Sequence, residues 1–68
     1  MKLIIKTTGH ELKTGDIVRD FRGAVWIFEG GRPPQHEGST GKVWLHDLTE
    51  KRMTQEFYPS VIGAEWVE

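Results

Sequence analysis

Apolar residues fall in short runs separated by glycine, proline and polar turn residues, and no stretch of helical length escapes that punctuation. Such spacing predicts short strands joined by turns. Leu3-Ile4-Ile5 is the first strand, and Thr8-Gly9-His10 a turn. Leu12-Lys13-Thr14-Gly15-Asp16 is a second turn, in which Gly15 is free to take a positive φ. Ile17-Val18-Arg19 follows as a strand closed by Asp20-Phe21-Arg22-Gly23. Ala24 to Glu29 is the strongest strand, with Ala24, Trp26 and Phe28 on one face and Val25 and Ile27 on the other. Being apolar on both faces, it belongs at the centre of a curled sheet.

Gly30 to Gly41 is the long irregular stretch, where two prolines and four glycines argue against regular structure. Lys42 to Leu48 is the next strand. Thr49-Glu50-Lys51 turns, and Arg52 to Phe57 returns as a hairpin partner. A helix competes for 42–58, but the span between Thr49 and Pro59 is too short to bury a helical stripe, and its β-branched and aromatic neighbours favour strand. Tyr58-Pro59-Ser60-Val61 suits a single 3₁₀ turn, because proline fixes φ and serine can cap. Ala64 to Val67 is the last strand. The expected fold is all-β: one domain over 1–68, a small barrel of five to six short antiparallel strands with a 3₁₀ turn before the last.

A chain of 68 residues buries only about 60% of the surface its unfolded form exposes. It has no cysteine to staple it, which fits a reducing compartment. Its core must come from apolar packing, with Phe21, Trp26, Phe28, Trp44, Phe57, Tyr58 and Trp66 as the aromatic supply. Nine Lys+Arg against ten Asp+Glu give a formal charge of -1, unlike the cationic excess of a dedicated nucleic-acid binder. The N-terminal apolar run is only Leu3-Ile4-Ile5, short of a signal peptide and far short of the roughly 20 residues of a membrane span. A soluble, cytoplasmic protein without membrane contact is expected.

The segment Glu11-Leu12-Lys13-Thr14-Gly15-Asp16-Ile17-Val18 resembles the approach to the diverging turn of SH3-like small barrels, and Tyr58-Pro59-Ser60-Val61 resembles the 3₁₀ turn before their final strand. The resemblance implies their fold. It does not imply proline-peptide binding, because only about six residues separate the first strand from Leu12, too few for the peptide-gripping loop of a true SH3 domain. A narrower likeness runs through Gly15 to Gly23, Trp26, Arg32-Pro33-Pro34, Ser39 to Val43 and Glu56 to Val61. These residues resemble a family of short, uncharacterised actinobacterial and bacteriophage proteins, which implies an origin and no functional residues.

Four groups carry candidate chemistry. His10, His36 and His46, with Asp16, Asp47 and Glu37 as co-ligands, would be a metal set, but zinc wants three or four converging ligands. Two of these histidines lie in loops and one in a strand without paired spacing, so they read as solvated surface residues and no metal is expected. Catalysis lacks a cysteine nucleophile, and no nucleophile-elbow pattern surrounds Ser39 or Ser60. Asp16 and Asp20 read as turn residues bonding nearby amides, so neither catalytic residues nor a cofactor are expected. The 30–41 loop has no helix after Gly41 to make a phosphate cradle, but its length suits recognition. The cationic and aromatic set of Arg19, Phe21, Arg22, Arg32, Trp44, Arg52 and Tyr58 would serve single-stranded nucleic acid. Against that, most aromatics are needed in the core, leaving Trp44 and Tyr58 in question.

The expected function is therefore a non-enzymatic module that binds a protein partner through the 30–41 loop and adjoining rim. Arg32, Pro33, Pro34, His36, Trp44 and Tyr58 are its contact residues. The runner-up is a nucleic-acid-binding barrel using Arg19, Arg22 and Arg52 with exposed aromatics, and a third reading is a self-associating structural protein of a virion or accessory assembly.

Overall fold

The structure, a computed structural model, describes residues 1–49 and 53–68. It is all-β. The strands are β1 (Lys2–Ile5), β2 (Ile17–Arg19), β3 (Val25–Arg32), β4 (Lys42–Asp47), β5 (Thr54–Phe57) and β6 (Ala64–Val67), and a 3₁₀ turn at Pro59–Ile62 precedes β6. Pro59 opens that turn, and Gly63, at φ 67°, closes it by donating to the carbonyls of Pro59 and Ser60. Among the described residues no helix is long and apolar enough to cross a membrane.

The strands form two antiparallel sheets, β1-β6 and β2-β3-β4-β5. The expected central strand is indeed interior: β3 pairs with β2 on one side and β4 on the other. Alternation sends Val18, Phe28, Val43 and Leu45 inward, where they pack with Leu3, Leu12, Ile62 and Ala64. Trp26 meets Phe57 edge-on within this layer, their ring centroids 5.0 Å apart. The segment before β2 extends the small sheet: Leu12 donates to the Leu3 carbonyl and Ile5 to that of His10.

Three expectations need correction. The barrel does not close, and the ladders leave two separate sheets. Closure requires strands long enough to tilt and stagger around an axis, and β1 and β2 have only four and three residues. Phe21, expected in the core, is 74% exposed, because it sits in the β2–β3 turn, whose backbone is tied down by Asp20. Finally, Gly30, Gly31 and Arg32 are not loop but the end of β3. Their glycines leave room for rings from distant strands. The Trp44 ring lies over Gly30, and a Cβ on Gly31 would stand 2.9 Å from the Trp66 ring. A register shift between Phe28 and Gly30 places Glu29 in a bulge, so the strand continues. The irregular connection is shorter than expected, running from 33 to 41. Of the expected Thr49-Glu50-Lys51 turn, Glu50 and Lys51 lie outside the described residues, as does Arg52.

Candidate functional site

Directly opposed residues of an antiparallel pair share a face. The pairings Arg32 with Lys42, and Gly30 with Trp44 with Glu56, therefore place Arg32, Lys42, Trp44 and Glu56 on the outer face of the larger sheet. Trp44 is half-buried against Gly30, and its indole N–H donates to the Glu56 carboxylate at 3.1 Å. Tyr58, just after β5, is 58% exposed, and the Lys42 ammonium sits 3.7 Å from its ring centre. Farther along β4, His46 is in direct contact through Nδ1 with Glu29 in the bulge. Its side chain is only 13% exposed, which corrects the expectation of a solvated surface residue; His10 and His36 are exposed as expected.

The 33–41 connection sends its residues to two sides. Pro33, Gln35, His36 and Ser39 join Arg32 and Lys42 around a concavity of about 190 Å³ at the corner of the outer face. Pro34 turns away and lines a separate concavity of about 260 Å³ with Pro59, Ser60 and Trp66. Of the six residues expected to contact a partner, Arg32, Pro33, His36, Trp44 and Tyr58 thus gather on or beside one face, and Pro34 does not. The loop is shaped by its own groups: the His36 Nδ1–H donates to the Glu37 carbonyl at 3.2 Å, Ser39 N–H to the His36 carbonyl at 3.1 Å, and Gly41 N–H to Ser39 Oγ at 3.2 Å. Its end is pinned by Trp66. Gly41 has φ +77°, and a Cβ there would lie 2.8 Å from the Trp66 Nε1 and 2.5 Å from the Arg32 carbonyl oxygen. The Trp66 indole is thus slotted between Gly31 and Gly41, with its N–H buried and without a partner among the described residues.

The arginines of the nucleic-acid reading sit elsewhere. Arg19 pairs with Val25 at the start of β3, and Arg32 is at its end, so they lie roughly 23 Å apart along the strand at about 3.3 Å per residue. Arg22 stacks its guanidinium 5.4 Å from the Phe21 ring centre. Between them Asp20 accepts from the amides of Arg22 and Ala24 at 2.8 and 2.9 Å and from the Trp26 indole at 3.1 Å. These bonds, the indole's first and then the amides', hold its carboxyl below the usual range. Asp16 is likewise lowered, first by the Lys13 amide at 2.9 Å and then by His10 at 3.0 Å. Both aspartates are therefore turn residues, as their sequence context predicts.

Among the described residues no three His, Asp or Glu side chains converge in a metal-ligating group. Sequence reasoning missed two participants. Lys42 was hidden because its pairing with Arg32 depends on register, and Trp66 because its glycine slot joins residues 25 and 35 positions away. Comparison of the chain with protein-family models, with curated proteins and with solved structures found no match.

Proposed function

We propose that this chain is a non-enzymatic interaction module that binds a protein partner where the 33–41 connection meets the outer face of the larger sheet. The observation that carries this reading is the cross-strand alignment of Arg32 with Lys42, beside Trp44 and under the exposed Tyr58 ring. Tyrosine, tryptophan and arginine dominate the energetics of protein interfaces, and this group sits on paired strands rather than on a floppy loop. Pro33 restrains the adjoining backbone and lowers the cost of ordering it. A protein is favoured over nucleic acid because Glu29 and Glu56 flank Trp44 on the same face, where a polyphosphate would be repelled.

The finer fold reading is an open SH3-like layout. It draws support from the strand order, the Gly15-Asp16 turn into β2 and the 3₁₀ turn before β6. A cytoplasmic setting in actinobacteria or their phages rests on the sequence resemblance and on the absence of cysteine. The test is affinity capture from a lysate of the native host, with and without nuclease. The wild-type chain is compared with Tyr58→Ala and with a variant whose residues 33–37 are replaced by a Gly-Ser turn that keeps Ser39 and Gly41. A partner that survives nuclease and is lost from both variants is the expected result. Retention of the same proteins by both variants would overturn the reading.

A further inference from the structure

The corner concavity has an unusual charge environment. Arg32, Gln35, Ser39 and Lys42 carry donors around it, the His36 Nδ1–H being engaged with the Glu37 carbonyl, and among the described residues no carboxylate lines it. Yet the chain carries ten Asp+Glu against nine Lys+Arg, and carboxylates satisfy donors elsewhere: Asp20 its turn, Asp16 and Glu29 a histidine each, Glu56 an indole. Among the described residues the Arg32 guanidinium has no ion pair, hydrogen bond or ring contact. Lys42 meets the Tyr58 ring and, among the described residues, pairs with no carboxylate.

A second observation points the same way. Arg32 and Lys42 are register partners, and like charges directly opposed on antiparallel strands destabilise the sheet. An anion lodged between them would convert that repulsion into two attractions. Arg32 offers a planar fork suited to a carboxylate or phosphoryl group, and Lys42 a point charge. Ser39 Oγ already accepts from Gly41 N–H, which leaves its own hydrogen to donate. The concavity of about 190 Å³ compares with about 30 Å³ for one liquid water, so an oxyanion fits with some hydration.

We infer that the Arg32–Ser39–Lys42 corner is an oxyanion site that receives the carboxylate or phosphoryl group of an acidic side chain on the protein partner. The nature of the carrier rests on the proposed function, whereas the anion site does not. Arg32 and Lys42 are one cross-strand step apart, a span that suits a single discrete group. A nucleic-acid strand needs cations along its path, whereas Arg19 lies roughly 23 Å away along the strand at about 3.3 Å per residue.

The test uses the full chain and amide chemical shifts at constant ionic strength, with inorganic phosphate and acetate titrated against chloride. A second series titrates short peptides that differ only in one phosphoserine, glutamate or serine, and an oligothymidylate. Phosphate should give saturable shifts confined to residues 32–42, absent with chloride. Arg32→Ala and Lys42→Met should each weaken phosphate binding by about tenfold or more, the usual effect of losing a charged hydrogen bond. Arg19→Ala should leave it unchanged. The phosphoserine or glutamate peptide should bind at the same amides and be displaced by phosphate, the tighter of the two identifying the group. Unsaturable shifts, or shifts equally large around Arg19 and Arg22, would overturn the site. Oligothymidylate binding tighter than either acidic peptide would overturn the protein carrier. Failure of the phosphate titration with partner capture intact removes the anion site alone; loss of partner capture with phosphate binding intact removes the partner reading alone.

Discussion

β3 is reached through one connection and left through another, and the two treat their polar groups in opposite ways. In the β2–β3 turn a single carboxylate collects the donors, with Asp20 holding two turn amides and the Trp26 indole. Its backbone also closes on itself, Asp20 donating to the Ala24 carbonyl and Gly23 to that of Asp20 at 3.0 Å each. Its cation, Arg22, lies over its own Phe21 ring. In the 33–41 connection no aspartate or glutamate oxygen accepts a backbone bond among the described residues, and Arg32 and Lys42 face each other across the strands. The internal bonds of this connection come from His36, Ser39 and Gly41 instead, and its end is pinned by the Trp66 indole wedged between Gly31 and Gly41. The first connection satisfies most of its polar groups from within and reaches out through the Phe21 N–H, which donates to the Val61 carbonyl at 3.1 Å. The second is anchored from behind and leaves its donors free in front, the arrangement a ligand site needs.

The largest effect should come from removing the anchor. Gly41→Ala puts a Cβ at φ +77° and drives it against the Arg32 carbonyl and Trp66. The left-handed backbone costs about 1–2 kcal/mol and forced overpacking about 1–3, together a large part of a small domain's stability. Gly23→Ala is the matched control, because φ there is +85° but nothing lies within 4 Å. It should lose only the backbone cost of about 1–2 kcal/mol. Urea midpoints of the two variants measure the difference. Equal losses would mean that Trp66 does not pin the second connection.

Next comes the carboxylate of the first connection. Asp20→Ala strands the half-buried Trp26 indole N–H and two amides, so its Tm at neutral pH should fall, though less than in Gly41→Ala. The pH dependence has a definite sign. Asp16 and Asp20 have folded pKa values below their unfolded ones, near 3.9. Their stabilisation is therefore present above about pH 4 and is lost as pH falls through the folded values. Thermal melts from pH 7 down to 2 should show this acid loss in the wild type and a smaller one in Asp20→Asn. Identical acid profiles would sink the assigned role of Asp20.

These contrasts also explain what was legible in the sequence. Strand positions, the 3₁₀ turn at Pro59 and the turn roles of Asp16 and Asp20 were readable because their causes are local: alternation, a fixed φ and a short side chain next to its own amides. Gly30 and Gly31 misled because glycine looks like a break, while its cause here is two indoles contributed by β4 and β6. Phe21 misled because its apolar character outweighed its turn neighbours, and a turn closed by Asp20 projects its middle residues outward. At the site, Arg32, Trp44 and Tyr58 stood out as polar or aromatic residues bracketing a long loop. Lys42 did not, because one residue of slip in the β3–β4 pairing would have put it on the other face. Pro34 was misplaced for a related reason: adjacent residues of the connection project to opposite sides of it.

The smallest effect is the most discriminating, because its sign differs between the two connections. Arg22→Ala removes an exposed cation from the Phe21 ring and should cost about 0.5–1 kcal/mol. Arg32→Ala removes a cation that has no partner among the described residues and directly opposes another, so it should be neutral or slightly stabilising, within about 0.5 kcal/mol. Salt separates repulsion from any other cause. The screening length falls from about 10 Å at 0.1 M to about 3 Å at 1 M, so a gain that comes from relieving Lys42 should shrink as salt is added. Bound phosphate should act in the opposite direction, stabilising the wild type and not Arg32→Ala, since a ligand that binds only the folded state raises its stability. If Arg32→Ala is instead as damaging as Arg22→Ala, in low salt and in high, then Arg32 is held by contacts of its own, and the second connection is as self-sufficient as the first.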